Sequence, residues 1–109
     1  MAYDEGLAQR IEEILEAQPA FEVKKMFGGA GYMLRGNMVC SVHKDMLVVR
    51  VGLDGHEEAM SYPHTLPFDI TGRAMKGWVM VSTGGYGTDE ELSRWVNKGI
   101  EFALTLPEK

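Results

Sequence analysis

The spacing of apolar residues changes several times along the chain, and each change marks a new element. Leu7, Ile11, Ile14 and Leu15 fall at the i, i+4, i+7, i+8 positions of one helical stripe, with acids and Arg10 on the other side. Asp4 stands in the N-cap position, and Pro19 follows where such a helix ends. Beyond Pro19 the period shortens to alternation: in "FEVKKMF", Phe21 and Val23 alternate with Glu22 and Lys24. "GYMLRGNMVCSVH" predicts two strands, roughly Gly31–Arg35 and Met38–His43, around a two-residue turn at Gly36-Asn37 with glycine first. Lys44-Asp45 then turns the chain into "MLVVRV". Links this short join antiparallel neighbours, because a parallel crossover needs about a dozen residues.

"LDGHEEAM" predicts a second helix, capped by Asp54 with Glu57 in capping-box register. Pro63 and Pro67 break the chain into a loop, Pro67–Thr71 adds a short edge segment, and "GWVMVS" is the last strand. Thr88 and Glu91 form a T-x-x-E capping box for the closing helix, along which Leu92, Trp95, Val96, Ala103 and Leu106 share one side. Gly99 lies on that stripe. A glycine there costs about 1 kcal/mol relative to alanine, which points to a close approach between helix and sheet.

The order is therefore α-β-β-β-β-α-β-α, an α+β, two-layer domain in which helices pack on a mainly antiparallel sheet. Residues 1–109 form a single domain. In "MLVVRV", Leu47, Val49 and Val51 point one way while Met46, Val48 and Arg50 point the other. Both faces are substantially apolar, so the second is covered by a helix or by a second copy of the chain.

Composition narrows the function. A 109-residue chain with 45% apolar residues can bury a core without metal or disulfide help. The net charge of −5 disfavours direct binding to nucleic acid. Cys40 is the only cysteine, which suits a reducing cytoplasm. The amino terminus is acidic where a signal peptide is basic, and no stretch reaches the length of a membrane span, so a cytoplasmic protein is expected.

Several motifs approach a chemical signature and stop short. "KKMFGGAGYMLRG" begins a dinucleotide pattern at Gly29-Ala30-Gly31, but Leu34 stands where its last glycine belongs and a strand follows. Gly28, Gly29 and Gly31 instead supply a tight bend or bulge between strands. "HEEAM" has Met60 in place of the second histidine of a zinc helix, and His43 and His64 are distant, so no metal or other cofactor is expected. Cys40 alternates with Met38 and Val42 on a buried strand face, where a thiol is a small hydrophobe. Ser41, Ser82 and Ser93 lack a nucleophile elbow. "GGYG" (Gly84 to Gly87) precedes a helix start, a position where backbone N–H groups hold anions. Arg50, Arg73 and Lys76, if brought together, would contact an anion or an acidic partner. Eight methionines suit an adaptable core or contact surface, with the core as the home of most.

The stretches "KMFGG", "LVVRVG" and "TGRAMKG", followed by the Trp95-bearing helix, resemble in order and spacing the TfoX/Sxy amino-terminal domain family. The resemblance runs from about Phe21 to Pro107. It implies an α+β domain with a curved antiparallel sheet, in a bacterial cytoplasmic protein. The family's founders regulate natural competence and carry a carboxy-terminal helical domain after this one. Here the sequence ends at "LTLPEK", so direct control of competence genes is not carried over. Ala74 stands where similar stand-alone members often have proline, a change that loosens a turn. The family offers no catalytic residues to transfer.

The expected function is a non-enzymatic regulatory or protein-interaction module that binds a protein partner or self-associates, with Met46 and Val48 on the self-association face. The alternative is a ligand-binding protein or small enzyme that holds a small anion or nucleotide with Arg50, Arg73 and Lys76, with "GGYG" as a flap.

Overall fold

The computed structural model describes residues 4–26, 29–68 and 76–107. Three helices and six strands follow in the order α1 (Glu5–Leu15), β1 (Phe21–Met26), β2 (Gly29–Leu34), β3 (Asn37–His43), β4 (Met46–Arg50), α2 (Gly52–Met60), β5 (Thr65–Pro67), β6 (Trp78–Val81) and α3 (Asp89–Leu104). The strands form one open antiparallel sheet ordered β1-β2-β3-β4-β6-β5. This is the expected α+β architecture, with the short edge segment supplying the sixth strand. That segment begins at Thr65, earlier than the sequence suggests, and residues 69–71 of the expected stretch lie outside the described residues.

Register assigns each side chain to a face, because directly paired residues of an antiparallel sheet point the same way. One face carries Ala30, Tyr32 and Leu34, Cys40 and Val42, Leu47 and Val49, and Val79 and Val81. All are buried, and they share one core with Leu7, Ile11 and Leu15 of α1 and with Leu92, Trp95, Val96, Ile100 and Ala103 of α3. A side chain taken out of water in this way contributes about 1.5–3 kcal/mol. α2 joins the same layer through Ala59 and Met60, and Tyr62 just beyond it meets Trp95 edge-on at 5.5 Å.

Three sequence expectations need correcting. The β2–β3 turn is Arg35-Gly36, with φ of 53° and 81°, and not Gly36-Asn37. Two positive φ values are the type I′ solution that matches strand twist. Asn37 belongs to the strand because its buried side chain is needed there: Nδ2 donates to the Pro107 carbonyl at 2.9 Å. The second helix starts at Gly52, so Asp54 is not its cap. The Val51 and Gly52 N–H groups both donate to the Gly77 carbonyl, at 2.8 and 3.0 Å, which satisfies the entry without a side chain.

The bulge does not fall at the glycines. Gly29 and Gly31 lie inside β2, and Gly28 lies outside the described residues. The irregularity falls instead in β3, where Tyr32 pairs with Cys40 but Met33 with Met38, leaving Val39 as the extra residue. An extra residue reverses the alternation. Val39 and Cys40 therefore both enter the core, while Met38 turns to the opposite face. Gly29 serves close approach: a Cβ there would collide with the Val42 carbonyl across the ladder.

The entries of α1 and α3 follow the sequence closely. The Leu7 N–H donates to Asp4 Oδ1 at 3.1 Å. The capping box of α3 is complete, with Glu91 N–H on Thr88 Oγ1 and Thr88 N–H on Glu91 Oε1, both at 3.1 Å. No helix among the described residues is long and apolar enough to cross a membrane.

Candidate functional site

The second sheet face carries none of the described helices. Across its strands lie Met33, Met38, Met46, Val48, Met80, Trp78 and Leu66, interleaved with Ser41, His43 and Arg50. Leu66 is 50% exposed and Val48 fully buried, while the methionines are half-buried. The sequence points to the core as the home of most methionines. The β3 bulge is what moves Met38 out of it, and a parity change of this kind leaves no mark in the sequence.

Of the expected self-association residues, Met46 presents part of its side chain on this face and Val48 is fully buried. Of the expected cationic cluster, Arg73 lies outside the described residues. Arg50 pairs with Trp78, which puts Lys76, exposed in the turn before β6, at the same end of that ladder. The Arg50 guanidinium lies 5.4 Å from the Trp78 ring centroid and 5.3 Å from that of Phe102. Cation–π contact on two rings ties the end of β4 to α3.

The "GGYG" segment is pinned, which does not suit a flap. Thr83–Gly85 forms a short 3-10 turn. Trp95 Nε1 donates to the Gly85 carbonyl at 3.2 Å, and the buried Tyr86 hydroxyl to the Asp45 carbonyl at 2.5 Å. A Cβ on Gly85 would lie 2.5 Å from Val81 Cγ1. The first turn of α3 also carries Asp89, Glu90 and Glu91, which repel an anion there. Hydrogen bonds from Thr88, first through its backbone and then its side chain, hold the Glu91 carboxyl below its ordinary value. The cleft beside it, between His64, Glu91, Arg94 and Trp95, measures about 120 Å³. Ligand pockets run to about 300–1,000 Å³.

Cys40, His56 and Ser82 have structural roles. Cys40 is fully buried, and burial pushes its thiol well above the ordinary range. His56 Nδ1 accepts from the Gly77 N–H at 3.1 Å and so fastens α2 to the turn before β6. Ser82 Oγ donates to the His64 carbonyl at 3.2 Å. Among the described residues no group of three or more His, Cys, Asp or Glu side chains is placed to hold a metal ion.

A larger groove, about 400 Å³, opens between α1 and the free edge of β1, with Glu5, Gln9 and Glu12 on one wall and Val23 and Lys25 on the other. The sequence pattern shows β1 as a strand but not that it ends the sheet. That depends on which partners the other strands take.

The TfoX N-terminal domain family model matches residues 13–103, which takes in every strand and most of α3. No curated protein matches the chain, so the assignment rests on the family match and on the agreement of the fold with it.

Proposed function

Because the chain belongs to the TfoX N-terminal domain family, we propose that it is a non-enzymatic regulatory module that works through protein contacts and self-associates, as one domain, in the bacterial cytoplasm. The observation that carries the protein-contact reading is the sheet face free of the described helices, on which Met33, Met38, Met46 and Met80 are half-buried around Leu66 and Trp78. Methionine's unbranched, polarizable side chain adapts to different partner shapes, and such a face suits a protein partner better than a small polar ligand. The lone buried cysteine fits a reducing compartment. The net charge of −5 argues against DNA as the direct partner.

Light scattering coupled to size-exclusion chromatography tests self-association, and a strict monomer at high concentration removes that part of the reading. Met46→Glu tests the face itself, because Met46 reaches the surface, whereas a charge at the buried Val48 would report on folding. A partner bound through this face is lost on Met46→Glu while the melting temperature holds.

One observation favours the anion-binding alternative. Among the described residues Arg50 makes no ion pair, so no described carboxylate engages its guanidinium edge. Thermal-shift measurements with nucleotides and inorganic phosphate separate the readings, since a specific ligand raises the melting temperature by mass action.

A further inference from the structure

We infer that the module self-associates through the free edge of β1, two copies joining antiparallel about a twofold axis at Val23 to make one continuous sheet. This rests on the self-association reading above and names the surface that carries it.

The two edges of the sheet are built differently. β5 spans only Thr65–Pro67, its Pro67 has no N–H to offer, and Thr65 Oγ1 is turned back to the Met60 and Tyr62 carbonyls. Short strands and prolines are how proteins blunt an edge. β1 is six residues long and contains no proline. Its Val23 is 41% exposed, one of the most exposed large apolar side chains among the described residues.

The backbone of β1 is poised for pairing. The Arg35 N–H donates to the Ala20 carbonyl at 3.3 Å, in the same register that pairs Phe21 with Leu34. Backbone direction alternates along a strand. The N–H and C=O groups of Glu22, Lys24 and Met26 therefore face β2, and those of Phe21, Val23 and Lys25 face out.

Only one register uses those groups and matches the charges. With the axis at Val23, Val23 meets its own copy and Phe21 meets Lys25, exchanging about six backbone hydrogen bonds in all. Glu22 of each copy then stands opposite Lys24 of the other, in the closer, non-hydrogen-bonded type of pair where opposite charges interact best. Moving the axis to Glu22, Lys24 or Lys25 sets like charges face to face. Lysines on an exposed edge deter unrelated strands, and here they are matched by the chain's own Glu22. The axis is perpendicular to the sheet, so the two methionine faces stay on one side and merge into a single surface.

Charge exchange tests the pairing. Sedimentation equilibrium on the full chain, up to about 1 mM, should show a reversible dimer. Glu22→Lys and Lys24→Glu should each weaken it at least tenfold, and an equimolar mixture of the two variants should restore dimer as the mixed species. Val23→Pro, which removes an outward N–H and leaves the β2 ladder intact, should give a monomer with unchanged circular dichroism. Met46→Glu should leave the dimer in place. A wild-type dimer that survives all three edge variants, or one abolished by Met46→Glu alone, overturns the edge while self-association stands. A wild-type chain that stays monomeric throughout overturns both.

Discussion

Gly99 of α3 lies directly against Val39, the bulge residue of β3: a Cβ built on Gly99 would stand 2.5 Å from the Val39 carbonyl oxygen and 2.8 Å from its Cγ1. The bulge and the glycine are two halves of one contact. Val39 is pushed toward the helix by the extra residue, and the helix can remain seated only if it offers no side chain there.

Gly99→Ala should therefore destabilise the fold. Overpacking a tight contact costs about 1–3 kcal/mol, against about 1 kcal/mol gained in helix propensity. A net loss of up to about 2 kcal/mol in urea unfolding is expected. Adding Val39→Ala should recover only part of it, because the nearer atom is backbone and does not move with the side chain. A stabilised Gly99→Ala would show that α3 can lift off the sheet without cost.

This contact also shows where sequence reading stops. The helix stripe, the capping box at Thr88 and the anomaly of Gly99 are local patterns, and all are legible in the order of residues. That Gly99 meets Val39 is not, since it depends on a bulge with no glycine or proline to announce it. The same bulge puts Met38 on the second sheet face and separates it from Cys40. The β2–β3 turn is displaced by one residue for a related reason: Asn37 is held by Pro107, a residue far along the chain. The edge position of β1 depends likewise on the whole sheet order.

Cys40 gives a prediction at alkaline pH. Burial raises its thiol pKa in the folded chain, and Tyr86 shifts the same way, chiefly through burial. A raised folded value means that the unfolded chain loses its proton first as pH rises. Stability is then fully present below the unfolded thiol value, and it declines above about pH 9 by up to about 1.4 kcal/mol per pH unit from Cys40. Cys40→Ala should flatten the alkaline limb of a stability-versus-pH curve and lower its neutral plateau by about 1 kcal/mol through lost packing. In the native protein a thiol reagent should label Cys40 only at the rate of unfolding.

Asn37 is the one buried polar side chain among the described residues, at 2% exposure, and it ties β3 to the chain beyond α3. Asn37→Ala should cost about 1 kcal/mol, the net worth of one such hydrogen bond. Asn37→Asp should cost more at neutral pH, because a carboxylate would face the Pro107 carbonyl with no proton to donate. Acidification should return part of that loss, since the protonated acid can donate where the amide did. Chemical unfolding at about pH 7 and about pH 3, on either side of the ordinary aspartate midpoint, measures both effects when each variant is referred to wild type at the same pH. Equal losses for the two variants at both pH values would mean that the carbonyl contact contributes nothing.

Arg50 separates a structural cation from a binding one. Its guanidinium sits between Trp78 and Phe102, joining the end of β4 to α3. Cation–π contacts of partly exposed groups are worth about 0.5–1 kcal/mol each. Arg50→Gln should therefore lower stability by about 1 kcal/mol, and Arg50→Lys by less, because the ammonium keeps charge but loses planar stacking. If the clamp is all that Arg50 does, inorganic phosphate will raise the melting temperature of wild type and Arg50→Gln equally, through general salt effects alone. A phosphate-dependent rise present in wild type and absent in the variant would instead assign Arg50 to an anion, and would move the functional reading away from protein contacts.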